Sequence, residues 1–258
     1  GKRSRVFVSK DFGATWKVYE TPIVQGETMT GIFTAAFYNE KIGIIAGGNY
    51  EKQDQNWANK AITKNGDDIF VVGSGSTANR TKMIQISEAK KTVLDKFDLT
   101  DLYLSMQYFA GISAEELNIE GVIFTGEKWY FFQRGNGKNA ENGIFTIDSP
   151  YFTQGYSMLY SNYDLPKING VQSSFTDAIL IDDDFYFLAS AEDSKSTYLD
   201  GEVVGSSIGK INVNTMKLKK VITITDKHKF EGLTLYKNNP KTLEFLLCED
   251  QDNEVMES

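Results

Sequence analysis

Four stretches of this chain share one design, and that repeat constrains the fold more than any other feature. "FTAAFYNEKIGIIAGGNYE" starts at Phe33, "IEGVIFTGEKWYFFQRGN" at Ile119, "FTDAILIDDDFYFLASAED" at Phe175 and "FEGLTLYKNNPKTLEFLLCED" at Phe230. Each is a short apolar strand, a polar turn of Asn, Asp, Gly or Lys, and a second apolar strand ending in small or polar residues. The last three begin 56 and 55 residues apart, and a shorter fifth copy, "AITKNGDDIFVVGSGS", starts at Ala61. Self-similarity at a period of about 50 residues, made only of short strands, is the signature of propeller blades. Runs such as Trp129-Tyr130-Phe131-Phe132 and Phe185-Tyr186-Phe187-Leu188 are apolar at every position, which suits a sheet packed between two other sheets. The expected fold is therefore an all-β propeller of about five blades, its ring closed or incomplete, occupying residues 1–258 as one domain. A β-sandwich with accidental internal similarity is the alternative.

Composition supports the β-rich reading. The chain has 17 Phe, 13 Tyr and only 4 Pro, and its 22 Gly cluster where turns belong. A net charge of −8 leaves no basic field to displace counterions from a phosphate backbone, which argues against nucleic-acid partners. One cysteine, Cys248, excludes an internal disulfide framework and a thiolate zinc site, and reads as a small buried hydrophobe. A single histidine, His228, has no partner for a histidine metal site. No apolar run reaches the roughly 18 residues that a membrane-spanning helix needs. The chain opens almost inside a strand and ends on "NEVMES", which reads as a piece of something longer.

"FDLTDLYLSMQYFAGISAEELN" breaks the strand pattern. Leu99, Leu102, Tyr103, Met106 and Phe109 fall at helical spacing behind Thr100, an N-cap type. One short helix is predicted here, in a connection between blades and packed over one end of them.

"VSKDFGATW", from Val8 to Trp16, carries Ser9, Asp11, Gly13, Thr15 and Trp16 in the Asp-box pattern. With the strands after it, the segment from 5 to about 63 resembles BNR propellers of the photosystem assembly factor type. In that superfamily the Asp box is a structural hairpin, so the resemblance gives Asp11 no catalytic role. From about residue 66, "GSGSTANR", "LNIEG…FFQRGN", "TDAILIDDDFYFLASAED" and "FEGL…LLCEDQDNE" are similar to an uncharacterised bacterial propeller family akin to the phytase-like esterase propellers. That family carries an acidic strand start ahead of "GSGS", where this chain has "NWANKAITKNGD", and a last strand beyond the point where this chain stops. Residues 60 to 68 thus read as a seam between blade types. The resemblance implies an extracytoplasmic setting, periplasmic or secreted.

First strands of blades line a propeller's channel, so residues at equivalent strand starts face one axis. The repeat aligns Glu120, Asp177 and Glu231, with Ala35 in the first copy. Three converging carboxylates would suit Ca²⁺, which takes six to eight oxygens and could polarise an ester or phosphate as a Lewis acid. The other reading makes each acid a clasp that accepts backbone N–H groups from the next blade. Glycine after Glu120 and Glu231 allows close backbone approach under either reading. Arg80, Arg134, Asn136 and Glu192 are candidates for a ligand-binding rim. "GSGST" reads as a turn anchored by Arg80, with a phosphate cradle as the lesser alternative, since it lacks the P-loop lysine. Serine–histidine chemistry would have to use His228, and no G-x-S-x-G elbow is present. The functional expectation is a monomeric scaffold for a protein or small-molecule ligand, with a Ca²⁺-dependent esterase or phosphatase as the alternative.

Overall fold

The computed structural model describes residues 5–8, 17–20, 30–39, 42–49, 59–135, 141–152, 155–193 and 202–249, with side chains from residue 61 onward. Three sheets are four-stranded antiparallel meanders. The first contains β5 (Asn59–Asn65), β6 (Asp68–Gly73), β7 (Lys82–Ser87) and β8 (Thr92–Asp98). The second contains β9 (Ile119–Phe124), β10 (Trp129–Gln133), β11 (Asn142–Ile147) and β12 (Met158–Tyr163). The third contains β13 (Ser173–Ile181), β14 (Asp184–Asp193), β15 (Glu202–Asn212) and β16 (Leu218–Thr225). Three further sheets are hairpins: β1 (Arg5–Val8) with β2 (Lys17–Glu20), β3 (Thr30–Asn39) with β4 (Ile42–Asn49), and β17 (Phe230–Asn239) with β18 (Thr242–Glu249). The first strands meet in order: β5 lies against β9, β9 against β13, β13 against β17, β17 against β3, and β3 against β5. The fold is all-β and propeller-like, with one α-helix among the described residues. No helix there is long and apolar enough to cross a membrane.

The four-residue apolar runs explain the layering. Along β10, Trp129 and Phe131 enter the core shared with the first sheet, beside Phe70, Val72 and Val122. Tyr130 and Phe132 turn the opposite way, into the core shared with the third sheet, beside Phe175, Phe185 and Phe187. A strand's period of two sends successive side chains to opposite faces, so a sheet covered on both sides must be apolar throughout. All five residues of β10 are accordingly buried, whereas the outer strand β8 is exposed along nearly all its length. Edge-to-face contacts fill these layers, such as Phe175 on Phe187 at 4.9 Å and 90°.

The predicted helix is α1 (Thr100–Ala110). Thr100 is its first helical residue and not its N-cap, a position held by Leu99. The Asp98 carboxylate, two residues before the expected cap, accepts the Thr100 N–H at 3.0 Å. Leu102, Tyr103 and Met106 are buried, but Phe109 is exposed, because the helix lies on the sheets by one side only. Tyr103 donates its hydroxyl to the Gly73 carbonyl at 2.6 Å, and burial pushes its phenol well above the ordinary tyrosine range. The helix thus caps the end of the first sheet. Cys248, expected inside, is exposed, since among the described residues β17 and β18 have no third strand beside them in their sheet.

Gly121 marks a close approach of the second and third sheets. A Cβ there would stand 3.0 Å from the Ala178 nitrogen and 3.3 Å from the Ala178 Cβ. Gly121→Val is expected to push β9 from β13 and lower stability by about 1–3 kcal/mol, as overpacking does. A fall in the urea midpoint with an unchanged slope would register it.

Candidate functional site

One backbone irregularity recurs in the five first strands that meet one another. Near the start of each, pairing with the next strand skips one residue: Phe33 in β3, Lys60 in β5, Glu120 in β9, Thr176 in β13 and Glu231 in β17. A bulge of this kind gives one strand an extra residue and re-aims its side chain. The bulges, not the apparent repeat, define equivalent positions. Glu120 and Glu231 are equivalent as expected, but the third member is Thr176, one residue before Asp177, and the first copy contributes Phe33 in place of Ala35. A one-residue shift in a strand turns a side chain to the other face. Asp177 therefore does not join the other two acids.

Asp177 is a clasp. Its carboxylate accepts the Ala178 N–H at 2.8 Å and, across to the neighbouring sheet, the Leu233 N–H at 2.7 Å. Asn142 makes the same kind of link with a neutral side chain. Its Oδ1 accepts the N–H groups of Gly135 and Phe175 at 3.0 Å each, and its Nδ2 donates to the Ser173 carbonyl at 2.9 Å. Thr176, at the bulge, donates its hydroxyl to the Phe230 carbonyl at 2.7 Å and so also ties β13 to β17.

Glu120 and Glu231 meet a cation from the protein itself. Arg134 follows β10, and its Nη1 lies 3.4 Å from Glu120 Oε1 and 3.6 Å from Glu231 Oε1. Its Nη2 donates to Glu192 Oε1, near the end of β14. Lys229 Nζ completes the arrangement, 3.3 Å from the same Glu192 oxygen and 3.1 Å from Glu231 Oε1. Asn118 adds a hydrogen bond of 2.9 Å to Glu120. All five charged side chains are at most a tenth exposed. Burial works against the Arg134 charge, but the fields of Glu120, Glu192 and Glu231 and the hydrogen bond to Glu192 outweigh it. The guanidinium is held above even the usual arginine value. Among the described residues, no group of three or more His, Cys, Asp or Glu side chains is arranged to hold a metal ion.

Of the expected rim residues, Arg134 and Glu192 are drawn inward to the two glutamates, Arg80 lies half-buried on the "GSGST" turn, and Asn136 falls outside the described residues. The Asp box at residues 9–16 also lies outside them. Lys229 escaped the sequence reading, although the strand period offered a signal. It sits two residues before Glu231, just as Asn118 sits two before Glu120, and alternate residues share a face. His228 is exposed, with Nδ1 to Glu249 Oε1 at 2.6 Å, and among the described residues no serine hydroxyl is hydrogen-bonded to its ring.

The chain belongs to a family of unknown function, DUF6929, whose model matches residues 49–258. No curated protein matches it. Among solved structures, it is similar to hydrazine synthase of Kuenenia stuttgartiensis at 12% identity and a TM-score of 0.40. That likeness covers 82% of this chain and 55% of the other, so this chain spans about half the length of its structural neighbour.

Breaking a buried ion pair from one side leaves the opposite charge uncompensated. Arg134→Met is expected to cost about 3–5 kcal/mol by denaturant unfolding. Asp177→Ala, which orphans the Ala178 and Leu233 N–H groups, should cost about 1–3 kcal/mol.

Proposed function

We propose that this protein works by binding, as a propeller scaffold for a protein or small-molecule ligand, and carries out no chemistry of its own. One observation carries the reading: the acids best placed for Lewis-acid chemistry are already committed. Glu120, Glu192 and Glu231 share Arg134 and Lys229, and Asp177 holds backbone N–H groups of its own and the adjacent sheet. Arg134 and Lys229 contact the very carboxylates that a metal-dependent esterase would need as ligands. What remains is a polar strand-end surface, fixed by hydrogen bonds between sheets. Five first strands in mutual contact support a propeller of five blades, in which the hairpin β3–β4 ranks with the sheets from residue 59 onward.

The test is thermal unfolding after chelation, with and without millimolar Ca²⁺, beside an assay of generic ester and phosphoester turnover. The expected result is an unchanged midpoint and no turnover. A native-state ion at about 100 times its Kd would add about 2.7 kcal/mol. A rise of that size, lost in the double variant Glu120→Gln with Glu231→Gln and accompanied by turnover, would overturn the binding reading in favour of the metal enzyme.

A further inference from the structure

The "GSGST" turn carries an arginine whose side chain the fold does not need. The turn runs from the end of β6 back to β7, and the backbone of Arg80 closes it. The Arg80 carbonyl accepts the Gly75 N–H at 2.8 Å and packs so tightly on Gly73 that a Cβ there would stand 2.3 Å from its oxygen. Gly75 has φ +75° and would bring a Cβ within 2.8 Å of the Tyr103 ring, so the turn is also held from the helix side. Ser74 and Ser76 join through their hydroxyls at 2.8 Å. The Ser74 carbonyl accepts the Ile119 N–H at 2.8 Å, which seats the turn beside the start of β9 and Glu120. Each of these bonds survives removal of the guanidinium.

Arg80 is half-buried, and among the described residues one hydrogen bond occupies its guanidinium: Nη1 donates to Ser76 Oγ at 3.3 Å. Among the described residues, no carboxylate lies within ion-pair distance of it, in a chain with 35 acidic residues against 27 basic ones. Arg134, by contrast, is held by three carboxylates. A guanidinium presents five N–H donors in a planar fork that matches phosphate and carboxylate oxygens. Arg80 keeps most of that fork available, beside a buried serine hydroxyl that fixes its position.

We propose that Arg80, steadied by Ser76, binds an oxyanion, either the phosphate or the carboxylate of a small ligand seated at the strand-end surface. The inference rests on the binding reading above and supplies the charge of the ligand. It is tested by titrating inorganic phosphate, and separately malonate, into the full chain in the presence of a chelator, following the amide resonances of Gly75 and Ser76. Saturable shifts are expected with at least one of the two anions, and which one saturates at lower concentration identifies the ligand group. Arg80→Gln should weaken that binding at least tenfold, Arg80→Lys by less, and both should keep the wild-type melting temperature. Shifts of equal midpoint in wild type and Arg80→Gln, or no shift with either anion, would overturn the assignment and leave the binding reading in place. Binding that appears only when Ca²⁺ is restored would overturn both.

Discussion

An inner sheet with neighbours on both faces has no solvent side, and the rest of this structure follows from that. Trp129 and Phe131 face one neighbour while Tyr130 and Phe132 face the other, so no position along the aromatic run of β10 is left for a charged side chain. Function cannot sit on such strands. It is confined to their ends, where Gln133 and Arg134 follow the aromatic run of β10, and Ser190 and Glu192 follow that of β14. The same confinement gathers the buried polar residues, from Ser74 to Glu231, toward the strand ends.

Bulges convert that confinement into a site. Each of the five first strands that meet one another carries one extra residue near its start, and in β9 and β17 that residue is glutamate. Buried charges are costly, and a pair of them rarely gains much over apolar residues of similar size. Here three carboxylates and two cations from separate strands neutralise most of one another, so the arrangement is tolerated. Its value lies in position. Arg134, Glu192 and Lys229 belong to three different sheets or their flanks, and their contacts fix those ends relative to one another. Clasps through Asp177 and Asn142 do the same with backbone partners.

Much of the fold was legible in the chain itself. Hairpins at Ile119, Phe175 and Phe230 are where the repeat puts them, and the two-faced apolar runs predicted the sandwiching of β10 and β14. The helix was legible too, apart from its cap, because Asp98 reaches the Thr100 N–H from outside the expected N-cap position. The site was legible in part. Glu120 and Glu231 are equivalent as the repeat implies, but Asp177 was misaligned by one residue. The alignment matched acid to acid, whereas the backbone matched bulge to bulge.

The sequence by itself determined the layered all-β architecture, since a period of two with apolar residues at every position has few other ways to avoid water. It also determined which strand starts bear acids. Only the tertiary structure decided what those acids meet. Partners from positions 120, 134, 192, 229 and 231 are brought together by packing between sheets. A bulge shifts a side chain to a new direction without leaving any mark in composition or spacing. Charge compensation at a shared axis is a property of several strands at once, and no single strand encodes it.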